Sequence, residues 1–238
     1  MKILVVNDDS IHAPGIAMLA KAAARIADVW VVAPASQCSA MSQKLTLREN
    51  MQIKRVDDFP AEVKEAWQVG GTPVDCVKVA LYHLLREKPD LVLSGINNGY
   101  NAGFDIAYSG TLGAAFEAVR NGIPAIAFSA PSDTHLPAVE ALLLPILQEL
   151  AELEAGEGTV WNVNFPQVNT HPVMGILRDR VPAKSSMFYE CYTEVQEPDG
   201  SVSLSCRGVP VPDEALGSGT DGEAVRKGYI SIGKVKAF

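Results

Sequence analysis

The sequence predicts an α/β fold built on a doubly wound, mostly parallel, Rossmann-like sheet, with a β-hairpin arm in the C-terminal part of the chain. In the first 165 residues, short apolar runs alternate with stretches of helical periodicity. The apolar runs are nearly continuous, which is typical of strands buried on both faces of a parallel sheet. Strands and helices that alternate at this spacing indicate βαβ units.

Five apolar runs are predicted to be strands, at residues 3–6, 29–33, 91–93, 125–128 and 160–163. Helical periodicity predicts four helices between them, at residues 16–26, 74–86, 112–120 and 136–153. Pro73 fits the first turn of the second helix because its missing N–H has no helical partner there. Gly122 and Pro124 end the third helix.

Two regions depart from this alternation. Residues 42–69 contain alternating apolar positions, such as Leu45 and Leu47, and are predicted to form an antiparallel ribbon. Residues 173–230 are polar and rich in Gly and Pro, and they contain few helical periods. We therefore expect an α/β catalytic core over residues 1–172. Residues 173–238 are expected to form a β-rich arm and C-terminal segment that contributes to oligomerisation.

Composition narrows the classes of partner. The chain of 238 residues carries 20 basic and 28 acidic side chains, a net charge of −8. Polymeric nucleic acid is disfavoured as a ligand because its affinity comes from clustered Lys and Arg. A small phosphorylated substrate remains compatible, since a local cation can hold it.

Compartment and membrane association are also constrained by the sequence. The apolar runs are far shorter than the roughly 20 residues of a membrane-spanning helix, and Asp8 follows the first run too closely for a signal peptide. The four cysteines form no C-x-x-C pair. We interpret them as reduced thiols of a cytoplasmic protein, with a Cys191–Cys206 bridge as the alternative.

Polar residues follow three of the predicted strands, and these positions are the candidate site. They occupy residues 7–10, 36–42 and 94–99. Ligands of open α/β sheets bind outside the carboxyl ends of the strands, so the three loops are expected to meet at one edge.

Asp8 and Asp9 are the chemically most informative of these residues. Two adjacent carboxylates at the end of a buried strand need a positive partner, and no Lys or Arg follows in the same loop. Carboxylate, hydroxyl and amide oxygens suit a hard cation such as Mg²⁺ or Mn²⁺. On residues 7–10 alone, however, a solvated turn in which one Asp caps the next helix is the favoured interpretation.

A second segment of the sequence favours a functional site over a solvated turn. Ser109, Gly110 and Thr111 lie at the start of a predicted helix, where free N–H groups and the helix dipole attract anions. A simple N-cap role for Ser109 or Thr111 is the alternative. The loop before them is rich in residues that tolerate tight turns and close ligand approach: Gly95, Gly99, Asn101 and Gly103.

Six sequence blocks in order resemble those of the SurE (survival protein E) family. They are MKILVVNDD at 1–9, GTPVDCVK at 71–78, SGINNGYN at 94–101, YSGT at 108–111, GIPA at 122–125 and TDGEAV at 220–225. The resemblance covers nearly the whole chain. It implies a divalent-metal-dependent nucleotidase that acts on nucleoside 5′- and 3′-monophosphates and on short polyphosphate.

The resemblance also implies site residues and an assembly. By position, the metal ligands of the family correspond to Asp8, Asp9, Ser39 and Asn97. Its phosphate-binding loop corresponds to Asn101 and to Ser109, Gly110 and Thr111. The family forms dimers or tetramers through exchange of C-terminal segments, so a homodimer or homotetramer is expected.

This sequence departs from the family pattern at several positions. Ser10 stands where glycine is usual, and Cys38 stands where a basic residue is common. The tail reads SIGK at 231–234 instead of Ser-x-Thr-Pro, which bears on assembly more than on chemistry.

The prediction from sequence is a phosphoric monoester hydrolase with one divalent cation per subunit. Asp8 or Asp9 is expected to transfer the proton of the attacking water or of the leaving group, and the sequence does not distinguish between them. Two alternatives remain: a catalytically silent nucleotide-binding module and a structural oligomer.

Overall fold

A computed structural model of the chain describes residues 1–131, 137–167 and 173–237. Its strands are β1 Lys2–Val6, β2 Asp28–Pro34, β3 Ile53–Arg55, β4 Glu65–Val69, β5 Leu91–Asn98, β6 Ala125–Ala130, β7 Thr159–Asn164, β8 Ile176–Arg180, β9 Phe188–Gln196, β10 Val202–Pro210 and β11 Ile230–Lys236. Its α-helices are α1 Pro14–Ala23, α2 Pro73–Val79, α3 Gly110–Arg120, α4 Pro137–Ala151, α5 Asp213–Leu216 and α6 Asp221–Arg226.

Nine of these strands form one central sheet in the order β3-β4-β2-β1-β5-β6-β7-β11-β8. All neighbouring strands from β4 to β7 in this order are parallel. Beyond them, β3 pairs antiparallel with β4, and β11 pairs antiparallel with β7. The predicted doubly wound α/β class is therefore confirmed. The five predicted strands correspond to β1, β2, β5, β6 and β7.

Helices cover both faces of the sheet and create two apolar layers. Leu19 of α1 and Leu147 of α4 are fully buried on one face, and Val77 of α2 and Leu112 of α3 are fully buried on the other. Burial on both faces explains why the central strands are almost continuously apolar. The sheet is thus a rigid platform for the loops at its carboxyl edge.

The ends of two helices differ from the prediction. The helix predicted over 74–86 ends as α2 and continues only as a π-helical turn, Ala80–Leu84, after which Leu85 adopts extended backbone. Its start is set by Thr72, which forms a reciprocal capping box with Asp75. Helix α4 begins at Pro137. Residue 136, the predicted start, lies outside the described residues.

The predicted ribbon over residues 42–69 is only partly correct. An antiparallel pair does form between β3 and β4, but β4 also joins the central sheet, and residues 42–52 contain no strand. The alternation at Leu45 and Leu47 misled the prediction because Leu47 is 82% exposed and no partner strand covers it. The segment instead packs against the start of α2, where the N–H of Thr46 donates to the carboxylate of Asp75 at 3.2 Å.

The C-terminal third of the chain divides into two parts. Strands β8 and β11 belong to the central sheet, although they follow residue 172, where the α/β core was expected to end. Residue 172 itself lies outside the described ranges. Strands β9 and β10 form a separate antiparallel hairpin, and every residue in them is exposed.

The alternative disulfide prediction is not supported. Cys191 lies opposite Arg207 in the hairpin, whereas Cys206 lies opposite Tyr192. Successive side chains of a strand alternate between faces, so the two thiols lie on opposite faces and cannot bridge. All four cysteines are free. Within the described ranges, no helix combines the length and apolar character needed to cross a bilayer.

Candidate active site

Asp8 lies two residues after the end of β1, beside the start of α3, and the residue is 5% exposed. Its Oδ1 accepts a hydrogen bond from the Thr111 hydroxyl at 2.7 Å. The Thr111 side chain is completely buried. Ser109 is the N-cap of α3, since its hydroxyl accepts the N–H of Leu112 at 3.0 Å. The strand end and the helix N-terminus therefore meet at Asp8.

Burial raises the pKa of Asp8 from 3.8 to about 6. The nearby charge of Asp9 contributes to this increase, while hydrogen bonds from the hydroxyl and backbone N–H of Thr111 oppose it. The helix N-terminus thus stabilises the Asp8 carboxylate itself, although not enough to offset its desolvation. A cation bound beside Asp8 would favour the charged form.

Asp9 is more open to solvent and is fixed by the next loop. Its Oδ2 accepts the backbone N–H of Asn98 at 2.8 Å, directly after Asn97. Its Oδ1 has only a 3.5 Å contact from Gln37. Burial raises the pKa of Asp9 as well.

Gly110 brings α3 close to Asp8. A Cβ at this position would lie 3.0 Å from the Asp8 Cβ and 3.1 Å from its Oδ2. A side chain at Gly110 would therefore affect Asp8 as well as any anion bound at the start of α3.

Ser39 lies in the loop after β2, next to Cys38. The N–H of Cys38 donates to the backbone oxygen of Asp8 at 2.7 Å, which brings this loop to the end of β1. Ser39 itself is exposed. A few residues on, the Ser42 hydroxyl donates to the backbone oxygen of Ala107 at 2.9 Å. Ala107 belongs to a 3₁₀ helix, Gly103–Tyr108, that leads into Ser109.

Asn97 and Asn101 occupy the loop after β5 in different surroundings. Asn97 is half-buried, and its Nδ2 donates to the backbone oxygen of Gly99 at 2.9 Å. Within the described part of the chain, no hydrogen bond is donated to its Oδ1. Asn101 is buried, and its Nδ2 donates to the hydroxyl of Ser129 at 2.8 Å. The three polar loops predicted from sequence thus meet at one edge of the sheet.

Several polar residues that support this site were missed in the sequence. Asp221 accepts the N–H of Gly103 at 3.1 Å, and Asp105 accepts the N–H of Met187 at 2.9 Å. Asn162 and Asn164 of β7 bind the backbone of Asn101. Two amides in an otherwise apolar strand are costly without partners. The presence of Asn162 and Asn164 in this strand could therefore have indicated a buried polar contact from the sequence alone.

The donor set fits a hard divalent cation. Neither Asp8 nor Asp9 forms an ion pair with any Lys, Arg or His among the described residues. No group of three or more His, Cys, Asp and Glu side chains with metal-binding geometry exists in the described ranges. A cation would therefore combine two carboxylates with neutral oxygens, the ligand type that Mg²⁺ and Mn²⁺ accept.

The fold and the site together define an α/β protein whose central parallel sheet carries a paired-carboxylate site beside a helix N-terminus. The family model described as "Survival protein SurE" matches residues 3–186. The chain therefore belongs to the SurE family, which confirms the resemblance.

Relatives and a solved structure agree with this membership. The chain is 37% identical over 235 residues to "5'-nucleotidase SurE" of Desulforamulus reducens, covering 98% of this chain and 91% of that protein. It is 38% identical over 232 residues to "5'/3'-nucleotidase SurE" of Shigella dysenteriae, covering 98% and 88%. The crystal structure of the SurE protein from Aquifex aeolicus matches with a TM-score of 0.83 at 32% identity, covering 100% of this chain and 94% of that one.

Proposed function

We propose that the chain is a divalent-metal-dependent phosphatase that hydrolyses nucleoside 5′- and 3′-monophosphates, and short polyphosphate, to release phosphate. The names of its relatives support the nucleotidase activity. The observation that carries the proposal is the pair Asp8 and Asp9, two carboxylates at the carboxyl edge of the sheet with no cationic partner in the described chain. Mg²⁺ and Mn²⁺ are the cations that suit these oxygens.

We assign the cation to Asp8, Asp9, Ser39 and Asn97. When bound, it would polarise a phosphoryl oxygen and favour ionisation of water. Thr111 holds Asp8 in place, and the contact between Asn98 and Asp9 fixes the second carboxylate. The free Oδ1 of Asn97 provides a neutral ligand.

The phosphoryl group is assigned to the surface formed by Asn101 and the start of α3. Ser109 and Thr111 use their hydroxyls within the protein, so Gly110 contributes its backbone and its lack of a side chain. Backbone N–H groups at a helix start stabilise phosphate oxygens. Asn101 gives one Nδ2 hydrogen to Ser129 and retains the other for the substrate.

Proton transfer is assigned to Asp9. Both oxygens of Asp8 lie in crowded surroundings, against Thr111 and Gly110. Asp9 is the more accessible carboxylate, and its Oδ1 makes only one long contact. An accessible carboxylate oxygen at the site can accept the proton of an attacking water.

The proposal is tested by measuring phosphate release from p-nitrophenyl phosphate and from a panel of nucleoside 5′- and 3′-monophosphates. Activity is expected with Mn²⁺ or Mg²⁺ and should disappear in excess EDTA. Full activity in EDTA after extensive dialysis would refute the metal requirement. Binding of nucleotides without any release of phosphate would support the silent binding module instead.

We also infer a homodimer or homotetramer that is held through the hairpin β9–β10. One face of the hairpin combines exposed apolar side chains, of which Phe188, Tyr192, Val202 and Leu204 are 45–60% exposed. Isolated two-stranded hairpins are marginal in water, and exchange of identical arms forms a closed dimer. The alternative is that the arm folds back on its own subunit.

The cytoplasm is the compartment we infer for the protein. Cys191 and Cys206 are exposed and free. Exposed thiols persist in reducing compartments and become oxidised elsewhere. Labelling of both thiols in freshly lysed cells, without added reductant, is the expected result.

A further inference from the structure

The backbone of Asn101 is bound by side chains of a neighbouring strand. Its N–H donates to Oδ1 of Asn164 at 2.9 Å. Its carbonyl oxygen accepts the Nδ2 of Asn164 at 3.1 Å and the Nδ2 of Asn162 at 2.8 Å. The Asn164 side chain therefore donates to and accepts from the backbone of the same residue, as the backbone of a neighbouring strand does in a sheet.

The side chain of Asn101 has its own partner. Ser129, in β6, accepts the Asn101 Nδ2 at 2.8 Å and lies next to Asn164 in the sheet register. In this arrangement the Nδ2 of Asn101 faces β6, and the planar NH₂ group directs its second hydrogen away from Ser129. Ser129 thereby orients the second Nδ2 hydrogen.

These polar groups are difficult to explain by the core alone. Ser129 and Asn164 are fully buried, and Asn162 is 3% exposed, within strands that otherwise contribute Val163 and Phe128 to the core. A buried amide without partners destabilises a protein, and apolar residues of the same size would pack without that cost. Their contacts with Asn101 compensate for part of this burial, while Oδ1 of Asn162 has no partner among the described residues.

The other end of the segment is fixed independently. Gly103 adopts φ +58°, and a Cβ there would lie 2.1 Å from the backbone oxygen of Ser185. Its N–H donates to Asp221, which also accepts the N–H of Ala183 at 2.9 Å. Residues 101–103 are thus bound at both ends and have little freedom to shift.

We propose that Ser129, Asn162 and Asn164 are positioning residues that place Asn101 for contact with the phosphoryl group. The proposal rests on the proposed function in that Asn101 contacts phosphate. Asn162 and Asn164 fix the backbone of Asn101, and Ser129 fixes the rotation of its amide. None of the three touches the substrate in this arrangement.

The test measures the Kd of inorganic phosphate by calorimetry in the presence of Mn²⁺, so that it does not depend on turnover. Ser129→Ala should weaken phosphate binding about tenfold, the effect of one hydrogen bond to a charged group. Affinity for Mn²⁺, measured separately, should not change. In an Asn101→Ala background, Ser129→Ala should have no further effect, because it acts through Asn101.

Ser231→Ala is the matched control. Ser231 is buried, lies next to Asn164 on the other side in the register, and has a hydroxyl with no partner among the described residues. Its removal should leave the Kd of phosphate unchanged. Equal weakening by Ser129→Ala and Ser231→Ala would indicate a general packing effect and would overturn the proposal.

A second variant addresses the backbone contacts. Asn164→Asp keeps the size of the side chain and the acceptor for the Asn101 N–H, but replaces the donor to its carbonyl by an oxygen. It should weaken phosphate binding more than Ser129→Ala. Wild-type affinity in Ser129→Ala, or additive losses in the double variant with Asn101→Ala, would refute the proposal. A wild-type protein that binds phosphate without hydrolysing nucleotides would refute only the proposed function.

Discussion

The carboxyl edge of the sheet and the hairpin β9–β10 differ in which kind of side chain they bury and which they expose. Around Asp8, polar groups are buried and most of them have partners from several elements of the same chain. In the hairpin, apolar side chains are exposed, and among the described residues its two strands pair only with each other. A buried polar site is stabilised by its own fold, whereas an exposed apolar arm requires a surface from outside the hairpin.

The largest expected effect concerns the carboxyl edge. Asp8→Asn should lower kcat/KM for a nucleoside monophosphate by at least about 100-fold, equivalent to about 2.7 kcal/mol of transition-state stabilisation. The amide keeps the size of the side chain but removes the charge that the cation requires. Steady-state kinetics with Mn²⁺ measures the loss.

Asp28→Asn is the control for this substitution. Asp28 begins β2 at the opposite edge of the sheet, where it forms an exposed ion pair with Lys64. Surface pairs of this type contribute little, so the control should retain wild-type kinetics. Comparable losses in both variants would show that the effect is not specific to the site.

The role of the hairpin in oligomerisation is tested by introducing a negative charge on one face or on the other. Leu204 shares a face with Tyr192 and Val202, while Ser203 lies on the other face. Leu204→Glu should dissociate the oligomer to a mass near 25.4 kDa, and Ser203→Glu should not. Light scattering at micromolar concentration measures both. A wild-type protein that is already monomeric would contradict the role of the arm.

The pH dependence of stability should distinguish the two regions further. In metal-free protein, the pKa of Asp8 is about 6 when folded and near 3.8 when unfolded, so the folded state binds the proton more tightly. The resulting stabilisation is fully present below pH 3.8 and is lost as pH rises to about 6, by roughly 2–3 kcal/mol. Chemical denaturation in EDTA should show this loss in wild type and not in Asp8→Asn.

The smallest expected effect concerns the turn after Asp9. Ser10 has φ +104°, a conformation that favours glycine, and it stands where the family usually has glycine. Ser10→Gly should stabilise the protein by about 1 kcal/mol, since relief of strain exceeds the added entropy of the unfolded chain. Thermal unfolding measures the change. A decrease in stability would indicate that the Ser10 side chain has a contact that compensates for the strain.

Local sequence rules predicted the strands and the site loops because their causes are local. Short apolar runs such as residues 3–6, bounded by polar residues, are typical of buried strands, and parallel strand ends share an edge. The segment 42–52 was mispredicted because its alternation is not matched by burial. Asp221 and Asn164 were missed because their partners lie far away in the sequence, at Gly103 and Asn101.

Similarly, the contacts of Thr111 and Gly110 with Asp8 could not be predicted from the sequence. Both were predicted as phosphate-binding residues from their place at a helix start. The structure shows that the Thr111 hydroxyl is directed to Asp8 and that Gly110 is packed against it. A sequence indicates which residues begin a helix, but not which neighbouring side chain already occupies that helix end.

Binding of Mn²⁺ to the wild-type protein and to Asp8→Asn and Asp9→Asn, followed by electron paramagnetic resonance, tests the central claim most directly. The claim is that the two carboxylates at the end of β1 hold the cation on which phosphate release depends. Wild type should bind about one Mn²⁺ per subunit, and each variant should bind it at least about tenfold more weakly, in parallel with its loss of activity. Unchanged Mn²⁺ affinity in both variants would contradict the claim.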